Sequence, residues 1–426
     1  MIRSGIEPKI AFDPMHTPQP GISPPLPEEN VPVTIIGAGP YGLSLAAHLR
    51  ESGTKFRIFG SPMKSWLANM PRGMCLKSTG YSSTLYDPKR AFTIGHYCAE
   101  RKIPYADIGL PVKVETFCQY AMAFKDRFVP DVHEARLTEL SVAGDEFRLR
   151  FDDGTHIKSR HVIVGVGLEK FRRMPAELTG CPTAFVSHSG EHTDLRRFRD
   201  AVVAVIGAGS SAIDMSTLIH EAGGKPVLVA RKQQIEFGIE ESLERPLWDR
   251  VFRPMSGIGP GWTNYICANY PGVFRQLPDG VRQRTVNTFL GPSGGWFMKE
   301  RSKAVSRLLG HRIEAADARQ GKVHLTLVSD SGDKQILVAD HVIAATGYKM
   351  DVERLDFLSS DILQRLKVVA STPRLSGDFE SSIPGLFFIG PISAMSLGPV
   401  MRFAAGAGFT AARLSKLLAK RTASQA

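Results

Sequence analysis

The chain has 426 residues and a formal net charge of +11; 43% of its residues are hydrophobic and 22% are charged. This length exceeds what one hydrophobic core usually holds, so we expect two domains. No apolar run reaches the roughly 18 to 20 residues that a membrane span needs, and no secretory signal is recognisable. Lysines and arginines are scattered along the chain, which favours a solvated basic surface over a nucleic-acid partner.

The five cysteines are spaced widely. Cys98 and Cys118, the closest two in sequence, are 20 positions apart. This spacing excludes C-x-x-C motifs and zinc-type cysteine clusters, so we expect no metal site. It also favours a reducing compartment, and we expect a cytoplasmic protein.

The predicted elements begin after a proline-rich segment. Residues 1–32 contain eight prolines and no apolar periodicity, which predicts a flexible arm. Order is expected to begin with a buried strand over Val33–Ile36. A glycine-rich turn then runs Gly37-Ala38-Gly39-Pro40-Tyr41-Gly42, followed by a helix over Leu43–Arg50 and a strand over Phe56–Phe59.

The same strand-turn-helix-strand pattern occurs a second time. A strand predicted over Val203–Ile206 leads into the turn Gly207-Ala208-Gly209-Ser210-Ser211-Ala212. A helix over Ile213–His220 and a strand over Pro226–Val229 follow. The chain therefore contains two copies of one supersecondary unit.

Each copy also ends in the same way, with a hairpin and a closing strand. The hairpins are expected to turn at Asp153-Gly154 and at Ser331-Gly332. The closing strands are His161–Gly167 and His341–Gly347. Repeats of this length are domains rather than solenoid units.

A G-x-G-x-x-G turn between a strand and a helix lets a dinucleotide pyrophosphate approach the backbone closely. The N-terminus of the helix then offers free N–H groups and a partial positive charge to the phosphates. The first turn matches this pattern, and the second matches it with Ala212 at the third glycine. Both turns therefore predict dinucleotide sites.

The residue after the second strand of each unit distinguishes the two sites. An acidic side chain there usually binds the ribose hydroxyls, but the first unit has Gly60. In the second unit Ala230 is followed by Arg231 and Lys232, and cations suit the 2′-phosphate of NADPH.

Two further motifs carry a family resemblance, namely the strand end Ala345-Thr346-Gly347-Tyr348 and the segment Pro384–Gly390. With the two glycine turns, they make residues 33–420 resemble the two-dinucleotide-binding-domain flavoproteins. The resemblance implies an α/β fold with two Rossmann-like, glutathione-reductase-type domains. An NADPH domain (183–347) would be inserted in a discontinuous FAD domain (33–182 and 348–426).

The resemblance also implies which residues bind each cofactor. The expected FAD site comprises Gly37, Gly39, Pro40, Tyr41, Gly42, Trp66, Leu137, Gly167, Gly390 and Gly398. The expected NADPH site comprises Gly207, Gly209, Ser210, Ser211, Ala212, Arg231, Lys232, Thr346 and Gly347. A helix beginning near Gly398-Pro399 would point its N-terminus at the flavin ring.

Within this family, the cysteine spacing excludes the branch that needs a vicinal dithiol. The remaining large branch, which this chain resembles, contains the flavin-containing, N-hydroxylating and Baeyer-Villiger monooxygenases. Their linker histidine would be His188, with His192 as a rival and an ordinary surface histidine as the alternative. Arg402 is a candidate for binding an anionic substrate, and the alternative for it is a structural pairing. Met74, Leu76 and Ser78 resemble the family stretch that lines the flavin beside Trp66, although a core position is an equal alternative for these residues.

The resemblance implies an FAD-dependent monooxygenase that uses NADPH and O2 through a flavin C4a-hydroperoxide. Candidate substrates are an amine or amino acid, a sulfide, a ketone, or a nitrogen heterocycle such as urate. The alternatives are an NAD(P)H-dependent flavin oxidoreductase that reduces a quinone or a protein, and a non-catalytic nucleotide-binding regulator. Residues 236–310 exceed a minimal NADPH domain and are expected either to cap the active site or to form a surface such as a homodimer contact.

Overall fold

The computed structural model describes residues 28–424, apart from Leu243. Most of the predicted proline-rich arm, residues 1–27, lies outside this range. The described residues form an α/β fold in which each glycine turn belongs to its own sheet and lies between parallel strands. The predicted fold class is therefore confirmed. No described helix combines the length and the apolar character that a membrane crossing requires.

The first unit is built around the first glycine turn. Its described strands are β1 (Glu29–Ile36), β2 (Arg57–Phe59), β3 (Val132–His133), β4 (Leu137–Ala143), β5 (Glu146–Phe151) and β6 (His156–Val164). Its described helices are α1 (Pro40–Glu51), α2 (Lys64–Ala68), α3 (Ile94–Arg101) and α4 (Val114–Phe128). The strand order is β3-β2-β1-β6-β5-β4, and β1 is parallel to both β2 and β6.

Strand β1 begins earlier than the sequence pattern predicts. It starts at Glu29, which lies opposite Ile157 of β6. The prediction of a flexible arm over residues 1–32 is therefore wrong for residues 29–32. Pro32 has no N–H and is skipped in the ladder between β1 and β6, but its neighbours Val31 and Val33 are paired. Pairing with β6 thus orders a segment whose composition suggests a coil.

The second unit surrounds the second glycine turn. Its described strands are β7 (Val186–His188), β8 (Val202–Ile206), β9 (Lys225–Ala230), β10 (Ser306–Leu309), β11 (His311–Arg319), β12 (Lys322–Ser329), β13 (Lys334–Ala339) and β14 (His341–Ala344). Its described helices are α5 (Ser210–Glu221), α6 (Leu247–Phe252), α7 (Trp262–Asn269), α8 (Pro271–Arg275), α9 (Asp279–Thr288) and α10 (Met298–Arg301). Strands β10-β9-β8-β14-β7 form its parallel sheet, and β11-β12-β13 form an antiparallel one.

The chain then returns to the first unit. The returning elements are α11 (Ser360–Arg365), β15 (Val368–Val369), β16 (Thr372–Pro373), β17 (Leu386–Phe388), α12 (Ala394–Leu397) and α13 (Gly406–Ala423). Strand β17 pairs in parallel with the end of β6, Leu386 lying opposite Val162. The first sheet is therefore completed by residues from both sides of the second unit.

The last helix begins later than predicted. A 3-10 turn over Pro399–Arg402 is followed by extended backbone at Phe403, and α13 starts only at Gly406. The hydroxyl of Tyr41 donates to the carbonyl oxygens of Met401 (3.0 Å) and Phe403 (2.8 Å). These carbonyls are consequently held by a residue of α1, which explains why the helix predicted from Gly398-Pro399 does not begin there.

A buried polar cluster lies beneath the second sheet. The Ser187 hydroxyl is 2.6 Å from His192 Nε2 and 2.7 Å from His341 Nε2, and all three residues are buried. Burial, together with nearby positive charge from Arg197, lowers the pKa of each histidine to about 4. Both imidazoles are therefore neutral at pH 7.

This cluster makes the fold acid-sensitive. The unfolded chain binds protons at these histidines near pH 6.5, whereas the folded chain does so only near pH 4, so stability should fall as the pH decreases through that interval. Urea unfolding at a series of pH values should show this decline. The His192→Gln/His341→Gln double variant should give a flatter dependence, and an equally steep one would contradict the assignment.

Candidate functional site

The first glycine turn depends on two close backbone approaches. Gly37, between β1 and α1, has φ +112°, and a Cβ on it would lie 2.2 Å from the carbonyl oxygen of Gly165 at the end of β6. A Cβ on Gly42 would lie 1.9 Å from the carbonyl oxygen of Gly37. These two glycines are thus required so that the closing strand and α1 can pack against the turn.

Gly39 differs, because its surroundings are open. Its backbone is extended (φ −88°, ψ −170°), and no atom of residues 28–424, Leu243 apart, lies within 4 Å of where a Cβ would be. Helix α1 begins directly afterwards at Pro40, and no side chain caps its N-terminus. An open, uncapped helix N-terminus beside a bare glycine fits the pyrophosphate of FAD.

Other residues predicted at the FAD site meet around this turn. A Cβ on Gly390 would lie 3.6 Å from the Tyr41 ring, so the returning segment packs on α1. A Cβ on Gly167 would lie 3.8 Å from Ser65 Oγ, which places α2 beside the end of the closing strand. The indole of Trp66 in α2 is 4.7 Å from the Phe117 ring, centroid to centroid.

Two further residues predicted at the FAD site pack against other elements. Leu137 is buried in β4 opposite Phe151 of β5, and the Phe151 ring stacks on Phe59 at the end of β2, with 4.0 Å between the ring centroids. Gly398 is covered by Phe274 of α8, whose ring is 3.2 Å from a Cβ built there. The structure therefore makes Leu137 part of the core that contains Phe59, and it places part of the 236–310 segment over Gly398.

The second glycine turn repeats the first in outline. Gly207 has φ +145°, and a Cβ on it would lie 2.4 Å from the carbonyl oxygen of Ala345 in the closing segment. Helix α5 starts at Ser210 without a side-chain cap, and Ser211 is exposed. Arg231 is also exposed and makes no ion pair among the described residues, whereas Lys232 pairs with Glu236 at 2.8 Å.

Sequence reasoning did not anticipate what covers this second turn. Pro292 Cβ is 3.3 Å from a Cβ built on Gly209. The Ser210 hydroxyl donates to the Ser293 carbonyl oxygen at 2.8 Å, and Lys77 Nζ donates to the same oxygen at 3.1 Å. Only the turn-forming composition of residues 291–295 hinted at a loop here, and nothing in the sequence indicated where that loop packs.

Asp214 is a second feature that sequence reasoning missed. It is buried in α5, and burial raises the pKa of its carboxyl to about 7 despite the opposing charges of Arg301 and Lys77. Its position in an apolar-looking helix gave no signal, because the lysine and arginine come from distant parts of the chain.

His188 lies where the chain crosses between the two units. It is fully buried at the end of β7; its Nε2 donates to the Gly347 carbonyl oxygen (3.1 Å), and its Nδ1 accepts from the Gly190 N–H (3.1 Å). Burial lowers the pKa of its imidazole, so the ring is neutral. Thr346 donates to the Arg173 carbonyl oxygen nearby at 2.5 Å. These hydrogen bonds fix the segment that connects the two units, and both ring nitrogens of His188 take part in them.

Arg402 serves as a helix cap in this structure. Its guanidinium donates to the carbonyl oxygens of Val286 (3.1 Å), Phe289 (3.3 Å) and Leu290 (3.4 Å), at the C-terminal end of α9. Arg282 of α9 is buried and donates in turn to the carbonyl oxygens of Met395 (3.2 Å) and Ser396 (3.4 Å) in α12. This reciprocal pair fastens the 236–310 segment to the first unit.

The glycines of the first turn make a testable contrast. Gly42→Ala should lower the free energy of unfolding by about 1–3 kcal/mol, since its Cβ meets backbone. Gly39→Ala should leave that free energy within about 0.5 kcal/mol and should reduce FAD affinity about tenfold or more, since its Cβ points into the open space. Thermal unfolding and FAD titration measure both effects. Undiminished FAD affinity in Gly39→Ala would contradict the site.

Comparisons with known proteins agree with this geometry. A family model described as pyridine nucleotide-disulphide oxidoreductase matches residues 34–245. The chain is 26% identical over 352 residues to the probable indole-3-pyruvate monooxygenase YUCCA9 of Arabidopsis thaliana, and the match covers 76% of each protein.

Solved structures show the same fold. The reduced ornithine hydroxylase of Pseudomonas aeruginosa matches with a TM-score of 0.73 and 15% identity over 92% of this chain and 99% of that one. The ornithine N-hydroxylase of Kutzneria sp. 744, solved with reduced FAD, NADP+ and L-ornithine, matches with a TM-score of 0.73 and 16% identity over 92% and 100%. The chain therefore has the fold of the two-dinucleotide-binding-domain flavoproteins, and it resembles the flavin-containing, N-hydroxylating and Baeyer-Villiger monooxygenases.

Proposed function

We propose that this protein is a cytoplasmic monooxygenase that uses NADPH and O2 to oxygenate a small organic substrate. One observation carries the proposal: a single chain holds two glycine turns of the same geometry, with the crossing at His188 and Gly347 between their units. One turn would hold FAD and the other NADPH. When bound, FAD accepts a hydride from NADPH and activates O2.

The cysteines favour oxygen over a dithiol as the electron acceptor. All five are free thiols, and Cys98, Cys118 and Cys267 are buried in the hydrophobic core. Burial raises the pKa of each of these three thiols, which makes them poor nucleophiles and poor redox partners. Electron transfer to a quinone or a protein is the alternative, and measuring 18O incorporation into the substrate distinguishes it from oxygenation.

The 236–310 segment provides the enclosure that such chemistry needs. Phe274 and Val286 from this segment are buried in the same core as α1 and α12, and the Arg282 and Arg402 contacts fix α9 in place. A fixed cover excludes water from the flavin ring and limits which substrates enter. We propose that this cover selects the substrate.

The names of the similar proteins indicate a general class of substrate but no particular compound. The solved relatives include hydroxylases of ornithine, and the curated relative is named for indole-3-pyruvate. We therefore propose an amine or amino acid as the first class to test, followed by ketones, sulfides and nitrogen heterocycles.

Arg231 should determine the preference for NADPH. It is exposed directly after β9 and makes no ion pair within the part of the chain that the structure describes, so its cation can reach the 2′-phosphate. Arg231→Ala should raise KM for NADPH about tenfold or more while leaving KM for NADH almost unchanged. Lys225→Ala, at the other end of β9, is the matched control. Equal effects of Arg231→Ala on both coenzymes would remove this assignment.

Oxygen use tests the monooxygenase proposal itself. The holoenzyme is mixed with NADPH and 18O2 in the presence of candidate substrates, and peroxide and product are measured. A monooxygenase should transfer one 18O atom to its substrate, with peroxide falling as product rises. Stoichiometric peroxide with every substrate, combined with rapid reduction of a quinone, would favour the oxidoreductase alternative instead.

A further inference from the structure

The two glycine turns have matching backbones but different surroundings. Gly209 has φ −94° and ψ −178°, close to the values of Gly39. A Cβ on Gly39 would meet no atom of the described residues within 4 Å, whereas one on Gly209 would lie 3.3 Å from Pro292 Cβ. In a Rossmann unit, this bare second glycine is where the pyrophosphate approaches. Pro292 therefore occupies the side of the second turn that the dinucleotide needs.

The loop that carries Pro292, residues 291–294, is fastened at several points. We call it the occluding loop. Ser293 accepts through its carbonyl oxygen from Ser210 Oγ (2.8 Å) and Lys77 Nζ (3.1 Å), and its own hydroxyl is 2.5 Å from Lys77 Nζ. The next residue, Gly294, donates to the Glu236 carbonyl oxygen (2.9 Å) and accepts from the Gly238 N–H (2.8 Å).

The helix that the occluding loop covers keeps its capacity to bind an anion. Among the described residues, no hydrogen bond satisfies the backbone N–H of Ser210 or Ser211 at the start of α5. The Ser293 carbonyl engages only the Ser210 side chain. The loop therefore occupies the space of a phosphate without replacing its contacts with the helix N-terminus.

We infer that the occluding loop closes the second nucleotide site in the absence of ligand, and that NADPH must displace this loop to bind. Lys77 is then a positioning residue from the first unit that holds the loop of the second unit shut. This inference rests on the proposed use of NADPH. It predicts that binding includes the cost of opening the loop, so the observed affinity is weaker than that of the open site.

Hydrogen-deuterium exchange of the holoenzyme with and without NADP+ tests the displacement. Exchange of the N–H groups of Gly238 and Gly294 should become about tenfold faster or more when NADP+ binds, because opening breaks their hydrogen bonds. Exchange in the first turn of α5 should slow at the same time. Slower or unchanged exchange at Gly238 and Gly294, with α5 protected, would overturn the inference alone.

A calorimetric titration with NADP+ tests the role of Lys77. Lys77→Met should lower Kd for NADP+ about three- to tenfold, because the closed loop loses its hydrogen bonds to the ammonium. Ser293→Ala, which removes only the hydroxyl contact, should lower Kd about twofold. Lys89→Met, which removes an exposed lysine paired with Glu51, is the control.

The outcomes separate this inference from the proposed function. Weaker NADP+ binding by Lys77→Met would show that Lys77 holds the nucleotide rather than the loop, which overturns the inference while leaving NADPH use intact. Failure of NADP+ to bind any of these proteins would overturn both.

Discussion

The close approach between each glycine turn and the residue that follows the closing strand of its unit is the constraint on which both candidate nucleotide sites depend. A Cβ on Gly37 or Gly207 would come within 2.2 Å or 2.4 Å of a carbonyl oxygen from the segment that follows the closing strand. Only glycine allows this contact, and its positive φ lets the chain turn from strand to helix there. Each turn is thus fixed by backbone packing, which leaves the second glycine and the helix N-terminus available for phosphates.

The two units differ in what lies on that available side. The first turn is open, and the returning segment is drawn against it by the Tyr41 hydroxyl. The second is covered by Pro292. The covering loop belongs to the same 236–310 segment that Arg282 and Arg402 fasten to the first unit. Displacement of the loop by a nucleotide would therefore occur directly after a helix, α9, that is anchored to the first unit.

Local features of this structure could be predicted from the sequence. The glycine turns, their flanking strands and helices, and the hairpins at Asp153-Gly154 and Ser331-Gly332 depend on neighbouring residues, so the pattern predicts them. The start of β1 could not be predicted, because the composition of residues 29–32, which end in Pro32, suggests a coil. These residues join the strand through pairing with β6, more than a hundred residues later in the chain. The start of α13 likewise depends on Tyr41, 360 residues from Met401.

The candidate site likewise has a part that the sequence predicts and a part that depends on long-range packing. The residues of the turns follow from the motif, but Arg402 binds carbonyls 112 to 116 positions away, and Ser293 reaches Ser210 across 83 positions. Contacts of this kind arise from how the 236–310 segment packs, and its composition carries no signal for that packing. For the same reason the sequence offered no means of finding Lys77 or Asp214 as neighbours of the second turn.

We propose that one chain passes a hydride from its second nucleotide site to its first. An anaerobic titration of the purified holoenzyme with NADPH, followed through the visible absorbance of bound FAD, measures this transfer directly. We expect complete bleaching of the flavin at one NADPH per FAD, and much slower bleaching with NADH. A purified protein that binds no flavin, or a bound flavin that NADPH fails to bleach, would contradict it.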